Sequence, residues 1–316
     1  MLKVQEFYKK YKELLALEGT LSEVGFGKSI KVAEVERPGL ALTGFLKWYS
    51  QKRLLVFGRG EMEYLRELSD ELRFKRLEEV LSVGIPCVIV TRNLKPFPEM
   101  QAILKERQIA LFRTQLATAD VMRKLTVCLG EEFAPKMSTH ACLVEAFGLG
   151  ILIQGDSSVG KSEAALGLIE RGHRLVSDDI VILKRREGFY LEGEGPELTK
   201  HMLEIRGIGI INVAHLYGAV CVSEKARIDL VVRIEEWDSG HFYDRIGLEE
   251  KFLEFLHVKV PFYMLPVKPG RDVVLLLETV VLNHRLKQRG YHSAKEFNVK
   301  LLDTIRAREK RKSSIS

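Results

Sequence analysis

Gly155-Asp156-Ser157-Ser158-Val159-Gly160-Lys161-Ser162 is the stretch that decides the fold. Its fixed positions follow G-x-x-x-x-G-K-[ST], and each has its own physical task. The glycines allow a tight turn and let backbone N–H groups point inward at phosphate oxygens. Lys161 supplies a point charge for outer phosphates, and Ser162 a hydroxyl for a magnesium ion. Upstream, Phe147-Gly148-Leu149-Gly150-Ile151-Leu152-Ile153 is a short apolar run suited to a buried strand. Downstream, Ala164, Ala165, Leu168 and Ile169 recur at helical spacing, and Gly172 stands where a helix is capped. Strand, loop and helix in that order rest the phosphates on a helix N-terminus, where unpaired N–H groups and the macrodipole favour anions. The stretch predicts an α/β unit that binds a nucleotide.

Beyond the loop helix, Arg174-Leu175-Val176-Ser177-Asp178-Asp179 places two carboxylates at the end of an apolar segment. Successive side chains of an extended chain face opposite ways, so the two divide their work. One can take a proton from an attacking hydroxyl while the other holds a metal or the backbone; an Asp-Asp pair is equally a composition that forms turns. In Leu203-Glu204-Ile205-Arg206-Gly207-Ile208-Gly209-Ile210-Ile211-Asn212, an extended chain would set Glu204 and Arg206 on one face. That pairing suits a metal and a phosphoryl group, or else a surface ion pair of little energetic weight. His140, just before the strand that feeds the loop, suits orientation of a nucleophile or phosphate, or a structural role. Pro266-Val267-Lys268-Pro269-Gly270-Arg271 is a rigid turn with two cations, readable as a plain turn or as an anion clamp.

Two halves emerge. Residues 1–131 contain no histidine. They open with an amphipathic stretch from Val4 to Leu17, expected as a helix. Strands are expected at 53–58 and 85–90, separated by one charged helix from about Glu61 to Leu81, and Pro98 opens another helix. Strand–helix alternation predicts an α/β layer with a parallel or mixed sheet and a binding or assembly role. Residues 132–316 hold all eight histidines and the phosphate loop. This half reads as short strands and turns, then a closing helix near 276–289. The link is placed at Gly130 to Lys136.

The chain has 316 residues, 46% hydrophobic and 29% charged, as in ordinary globular proteins. No apolar run approaches the ~18 residues of a membrane span, and the first residues lack a signal-peptide core. Four scattered cysteines (Cys87, Cys128, Cys142, Cys221) read as buried hydrophobes of a reducing compartment, so the expected location is the cytoplasm. The net charge of +6 is partly local to Arg306–Lys312, read as a solvated, frayed end and not as a nucleic-acid site.

Together these segments resemble the HPr kinase/phosphorylase family, bacterial enzymes that phosphorylate a serine of the phosphocarrier protein HPr. The residues that carry the resemblance are Ser138 to Glu145, Gly155 to Ser162, Arg171 to Val176 with Asp178-Asp179, Leu203 to Val213, Tyr243 to Leu248 and Pro266 to Arg271. Arg37 to Gly44 and Gly84 to Arg92 continue it in the first half, so it spans essentially the whole chain. The resemblance implies a phosphoenolpyruvate-carboxykinase-like phosphate-loop kinase domain in the second half and a Mur-ligase-N-terminal-like α/β domain in the first. It implies a homohexamer that uses ATP or pyrophosphate to phosphorylate HPr, and inorganic phosphate to reverse the reaction with release of pyrophosphate. Carried over, His140, Lys161, Asp179 and Arg245 are catalytic, Ser162 and Glu204 hold Mg²⁺, Gly155 to Ser162 hold the nucleotide, and Pro266 to Arg271 serve dephosphorylation. Relatives often carry Gly where this chain has Ser158, which stiffens the loop and bears on the choice between ATP and pyrophosphate. Two other readings stand beside this one: a small-molecule kinase or carboxykinase, and a nucleotide sensor without catalysis. A sensor, however, has no need of a base such as Asp179.

Overall fold

A computed structural model describes residues 1–19, 24–157, 159–241, 243, 247–268 and 270–313, with side chains through residue 306. The chain divides into two compact units, Met1–Ala134 and Pro135–Ser316, both α/β.

In the first unit the apolar runs Leu54–Phe57, Cys87–Val90 and Ala110–Thr114 form parallel neighbours in one sheet. Val35–Glu36 adds a parallel edge and Leu17–Gly19 an antiparallel one. The runs are apolar, as far as Arg113 in the last of them, because both faces are covered. Leu55, Phe57, Val88, Val90 and Leu111 pack with residues of the helices Arg59–Glu67, Asp70–Val80 and Pro98–Glu106. Leu54, Val56, Cys87, Ile89 and Phe112 pack with the helices Val4–Tyr11 and Thr118–Glu132.

Two expected helices are cut short. The first ends at Tyr11, and the chain turns through Ala16 (φ 47°) so that Leu17 can enter the sheet edge. The charged helix breaks at Leu68, which is extended (ψ 150°), and restarts at Ser69, whose hydroxyl accepts a hydrogen bond from the N–H of Leu72. Ser69 followed by Asp70 and Glu71 is an N-terminal signature lying inside an unbroken apolar period, and the cap prevailed.

The second unit has three layers. A six-stranded sheet runs in the order Arg174–Ser177, Cys142–Ala146, Leu149–Gln154, Leu230–Glu236, Val258–Val267, Lys251–Phe255. Leu230–Glu236 is parallel to both Leu149–Gln154 and Val258–Val267. Alternate side chains of Leu149–Gln154 face opposite layers. Ile151 and Ile153 pack with the helices Lys161–Glu170 and Val273–Gln288. Leu152 packs with a second, antiparallel sheet of Lys225–Arg227, Tyr190–Glu194, Ile180–Arg186 and Lys136–His140.

Three details depart from expectation. Phe147 and Gly148 (φ 51° and 77°) form the turn before the strand, not its first residues. Leu203 to Asn212 is not one extended strand but a hairpin of Met202–Ile205 and Gly209–Asn212, with Arg206 in its turn; Gly207 and Gly209 (φ 86° and 98°) permit the reversal. The closing helix is Val273–Gln288, and a further helix, Ser293–Ser313, follows where a frayed tail was expected. Among the described residues, no helix is long and apolar enough to cross a membrane.

Candidate active site

The loop leaves the strand Leu149–Gln154 at Gly155, whose φ of 153° lies in the range side chains avoid. A Cβ there would sit 2.4 Å from the carbonyl oxygen of Ile234 on the neighbouring strand, so the loop can pass that strand only as glycine. Gly160 (φ 91°) then turns the chain into the helix Lys161–Glu170. Gly155→Ala should destabilise the second unit by more than about 1 kcal/mol, because φ is strained and the Ile234 carbonyl must shift. An unchanged denaturation midpoint would show that this contact yields.

Lys161 Nζ donates to the carbonyls of Gly155 and Asp156, 2.9 Å each, which holds the ammonium at the loop. Ser162 Oγ donates to both carboxylate oxygens of Asp178, at 3.1 and 3.0 Å. Asp178 is 8% exposed and also accepts from the backbone N–H of Glu204 at 3.2 Å. Burial pushes its carboxyl above the usual carboxylate range, against hydrogen bonds from Glu204 N–H, the Ser162 hydroxyl and the Cys142 thiol.

Its neighbour is placed quite differently. Asp179 takes a left-handed conformation (φ 65°) as the chain passes from the strand Arg174–Ser177 of one sheet to Ile180–Arg186 of the other. Its side chain is 74% exposed, and Oδ1 lies 3.5 Å from Nδ1 of His140, itself 84% exposed. The Ala141 N–H donates to the Asp179 carbonyl at 3.0 Å, which sets the two residues side by side. His140 also lines a cavity of about 400 Å³ with Gln154, Gly155, Asp156 and Arg233. A second cavity of about 430 Å³, bounded by Asp156, Ser157, Val159, Glu235, Glu236 and Tyr243, flanks the loop.

The structure therefore brings the loop, Lys161, Ser162, Asp178, Asp179 and His140 together. Glu204 is exposed on its strand and joins them through its backbone. No ion pair joins Glu204 to Arg206 among the described residues, so the surface-pair alternative is not realised. Pro266 and Val267 end the strand Val258–Val267; Lys268 lies over the ring of Trp237, and Arg271 NH1 donates to the Pro266 carbonyl at 2.8 Å. Gly270 (φ 85°) carries the turn. Ser158, Arg245 and Pro269 lie outside the described residues. Sequence reasoning left the duty of Asp178 open and passed over Glu235, Glu236 and Trp237. Their signal is indirect: they end a strand that runs parallel to the one feeding the loop.

Family models for the HPr serine kinase N terminus and the HPr serine kinase C-terminal domain match residues 2–129 and 131–301. The chain belongs to the HPr serine kinase family. The HPr kinase/phosphorylase of Caldanaerobacter subterraneus is 41% identical over 276 residues, covering 87% of this chain and 90% of that protein. Those of Treponema pallidum (40% over 294 residues; 93% and 92% covered) and Listeria monocytogenes (39% over 297 residues; 94% and 95%) are similar at nearly full length. Among solved structures, the HPr(Ser) kinase/phosphatase of Coxiella burnetii is 36% identical with a TM-score of 0.47, covering 51% of this chain and 98% of that one. Membership in a kinase family makes the protein an enzyme that takes a nucleotide-type phosphoryl donor.

Proposed function

We propose that the protein phosphorylates a serine of an HPr-type phosphocarrier with ATP or pyrophosphate, and reverses that reaction with inorganic phosphate. The observation that carries this reading is the split of the carboxylate pair at the loop. Asp178 is buried on Ser162, while Asp179 stands exposed beside His140. One buried and one open carboxylate are what a phosphoryl transferase needs for its cation and for its incoming hydroxyl.

The donor set fits Mg²⁺. Ser162 hydroxyl and the Asp178 and Glu204 carboxylates are hard oxygens, and Asp178, disfavoured as an anion by burial, takes only neutral hydrogen-bond donors among the described residues. Mg²⁺ bound there would neutralise charge on the donor phosphates. In the forward direction Asp179 accepts the proton as the seryl oxygen bonds to the terminal phosphorus and the bridging oxygen leaves with its electron pair. In reverse, an oxygen of inorganic phosphate bonds to the phosphoseryl phosphorus, the seryl oxygen departs and recovers its proton from Asp179, and pyrophosphate is released. His140 orients the Asp179 carboxylate. Lys161, with Arg245, offsets charge on the moving group, the chief lever in such reactions. The homohexameric state and cytoplasmic location belong to this reading through the family resemblance.

Lys268 and Arg271 serve the reverse direction. The forward attacker is a neutral hydroxyl, whereas the reverse attacker is a phosphate dianion approaching another phosphate and must be held against repulsion. Lys268→Ala or Arg271→Ala should lower phosphorolysis about ten- to a hundredfold, and ATP-dependent phosphorylation far less. Equal losses in both directions would make the turn purely structural.

The whole reading is tested by incubating the protein with labelled ATP, Mg²⁺ and purified HPr. Label on a protein serine supports it. Label confined to a small metabolite would replace it with a small-molecule kinase, and nucleotide binding without transfer would replace it with a sensor.

A further inference from the structure

The geometry points to Trp237 as a positioning residue for phosphorolysis, its indole face holding the Lys268 ammonium ready for inorganic phosphate. The inference rests on the reading of Lys268 and Arg271 given above.

The strand Leu230–Glu236 is parallel to both of its neighbours, with Gln154 opposite Arg233 and Val267 opposite Glu236. The phosphate loop and the Lys268 turn therefore leave the same edge of the sheet, and Trp237 lies between them. Its N–H donates to the Val267 carbonyl at 2.8 Å, which pins it to the residue before Lys268. Its ring lies 4.9 Å from that of Tyr243, and Lys268 Nζ sits 4.3 Å from the indole centroid.

The partners chosen for the two cations of the turn carry the argument. Glu235, Glu236 and Asp238 line the adjacent cavity, yet Lys268 makes no ion pair with them among the described residues. Arg271 likewise donates to a carbonyl, that of Pro266. Close by, Arg171 is bound by two carboxylates, Asp272 and Glu278. A carboxylate partner would fix a cation and cancel its field. A π-face or a carbonyl fixes it and leaves the full charge for a mobile anion. The flexible four-carbon stem of lysine gives such a fixture its purpose.

The test measures phosphorolysis of phosphoseryl-HPr against inorganic phosphate concentration, with ATP-dependent phosphorylation alongside. It uses the full chain, Trp237→Phe, Trp237→Leu, Lys268→Gln and the double variant Trp237→Leu/Lys268→Gln. Trp237→Leu should raise the KM for phosphate about three- to tenfold with little change in kcat, and forward phosphorylation should persist. Trp237→Phe keeps a weaker π-face and should fall between, so the ranking Trp, Phe, Leu reads the contact even where Leu loosens the fold. The double variant should be no worse than Lys268→Gln alone. Equal losses in both directions, or effects that multiply in the double variant, would overturn the inference. If Lys268→Gln raises the KM and Trp237→Leu does not, this inference alone falls. If Lys268→Gln itself leaves the KM unchanged, the phosphate-clamp reading falls and takes this one with it.

Discussion

Lys161→Ala is expected to abolish transfer in both directions, with a loss of at least a hundredfold in rate, and to weaken nucleotide binding. The ammonium does two things at once. It donates to the Gly155 and Asp156 carbonyls, so it braces the loop, and in the proposed mechanism it is the fixed cation beside the phosphates in either direction. Losing one preorganised hydrogen-bond donor to developing negative charge costs about 2.7–4 kcal/mol in an oxyanion hole, which sets the scale here. Because both transfers pass a phosphoryl group beside the same loop, the two rates should fall together, unlike those of the Lys268 variants. Nucleotide titration and both transfer assays on the same preparation decide it. Retained activity would remove the phosphate loop from the mechanism.

Asp179→Asn should bind nucleotide normally and lose serine phosphorylation by about a hundred- to ten-thousandfold, since an amide cannot accept the hydroxyl proton. Asp178→Asn should behave in a separable way. It replaces the buried carboxylate that accepts from Ser162 and Glu204 N–H, so its defect should appear as a raised Mg²⁺ requirement, about tenfold or more. Titrating Mg²⁺ in both variants separates the roles. An active Asp179→Asn with a dead Asp178→Asn, at saturating Mg²⁺, would mean the two carboxylates have been assigned the wrong way round.

What the sequence made legible was local. The loop, its strand and its helix are set by covalent spacing, and apart from the turn at Phe147 and Gly148 the described residues between 149 and 172 follow it. Alternation predicted that Asp178 and Asp179 would part company, but not which way each would go. That was decided by Ser162, sixteen residues back, and by the left-handed turn at Asp179. The hairpin in Leu203 to Asn212 was hidden because isoleucines continue through its turn; only the glycines mark the reversal. The break at Ser69 was visible in principle and was masked by an apolar period that runs across it. Trp237 carries no motif at all. Its place depends on the pairing of Leu230–Glu236 with Val258–Val267, partners separated by a loop and a further strand.

The two-residue passage from the strand Arg174–Ser177 to Ile180–Arg186 has a mechanical meaning. Asp178 is anchored to the layer that carries the phosphate loop, whereas Asp179 and His140 stand at the ends of strands in the other layer. In the proposed mechanism, phosphoryl donor and proton acceptor thus ride on separate plates, joined by the apolar seam of Leu143, Leu152, Val181, Leu183 and Val231. The alignment of a reaction that tolerates errors of well under a few ångströms is gauged by a bed of hydrocarbon that no reactant ever touches.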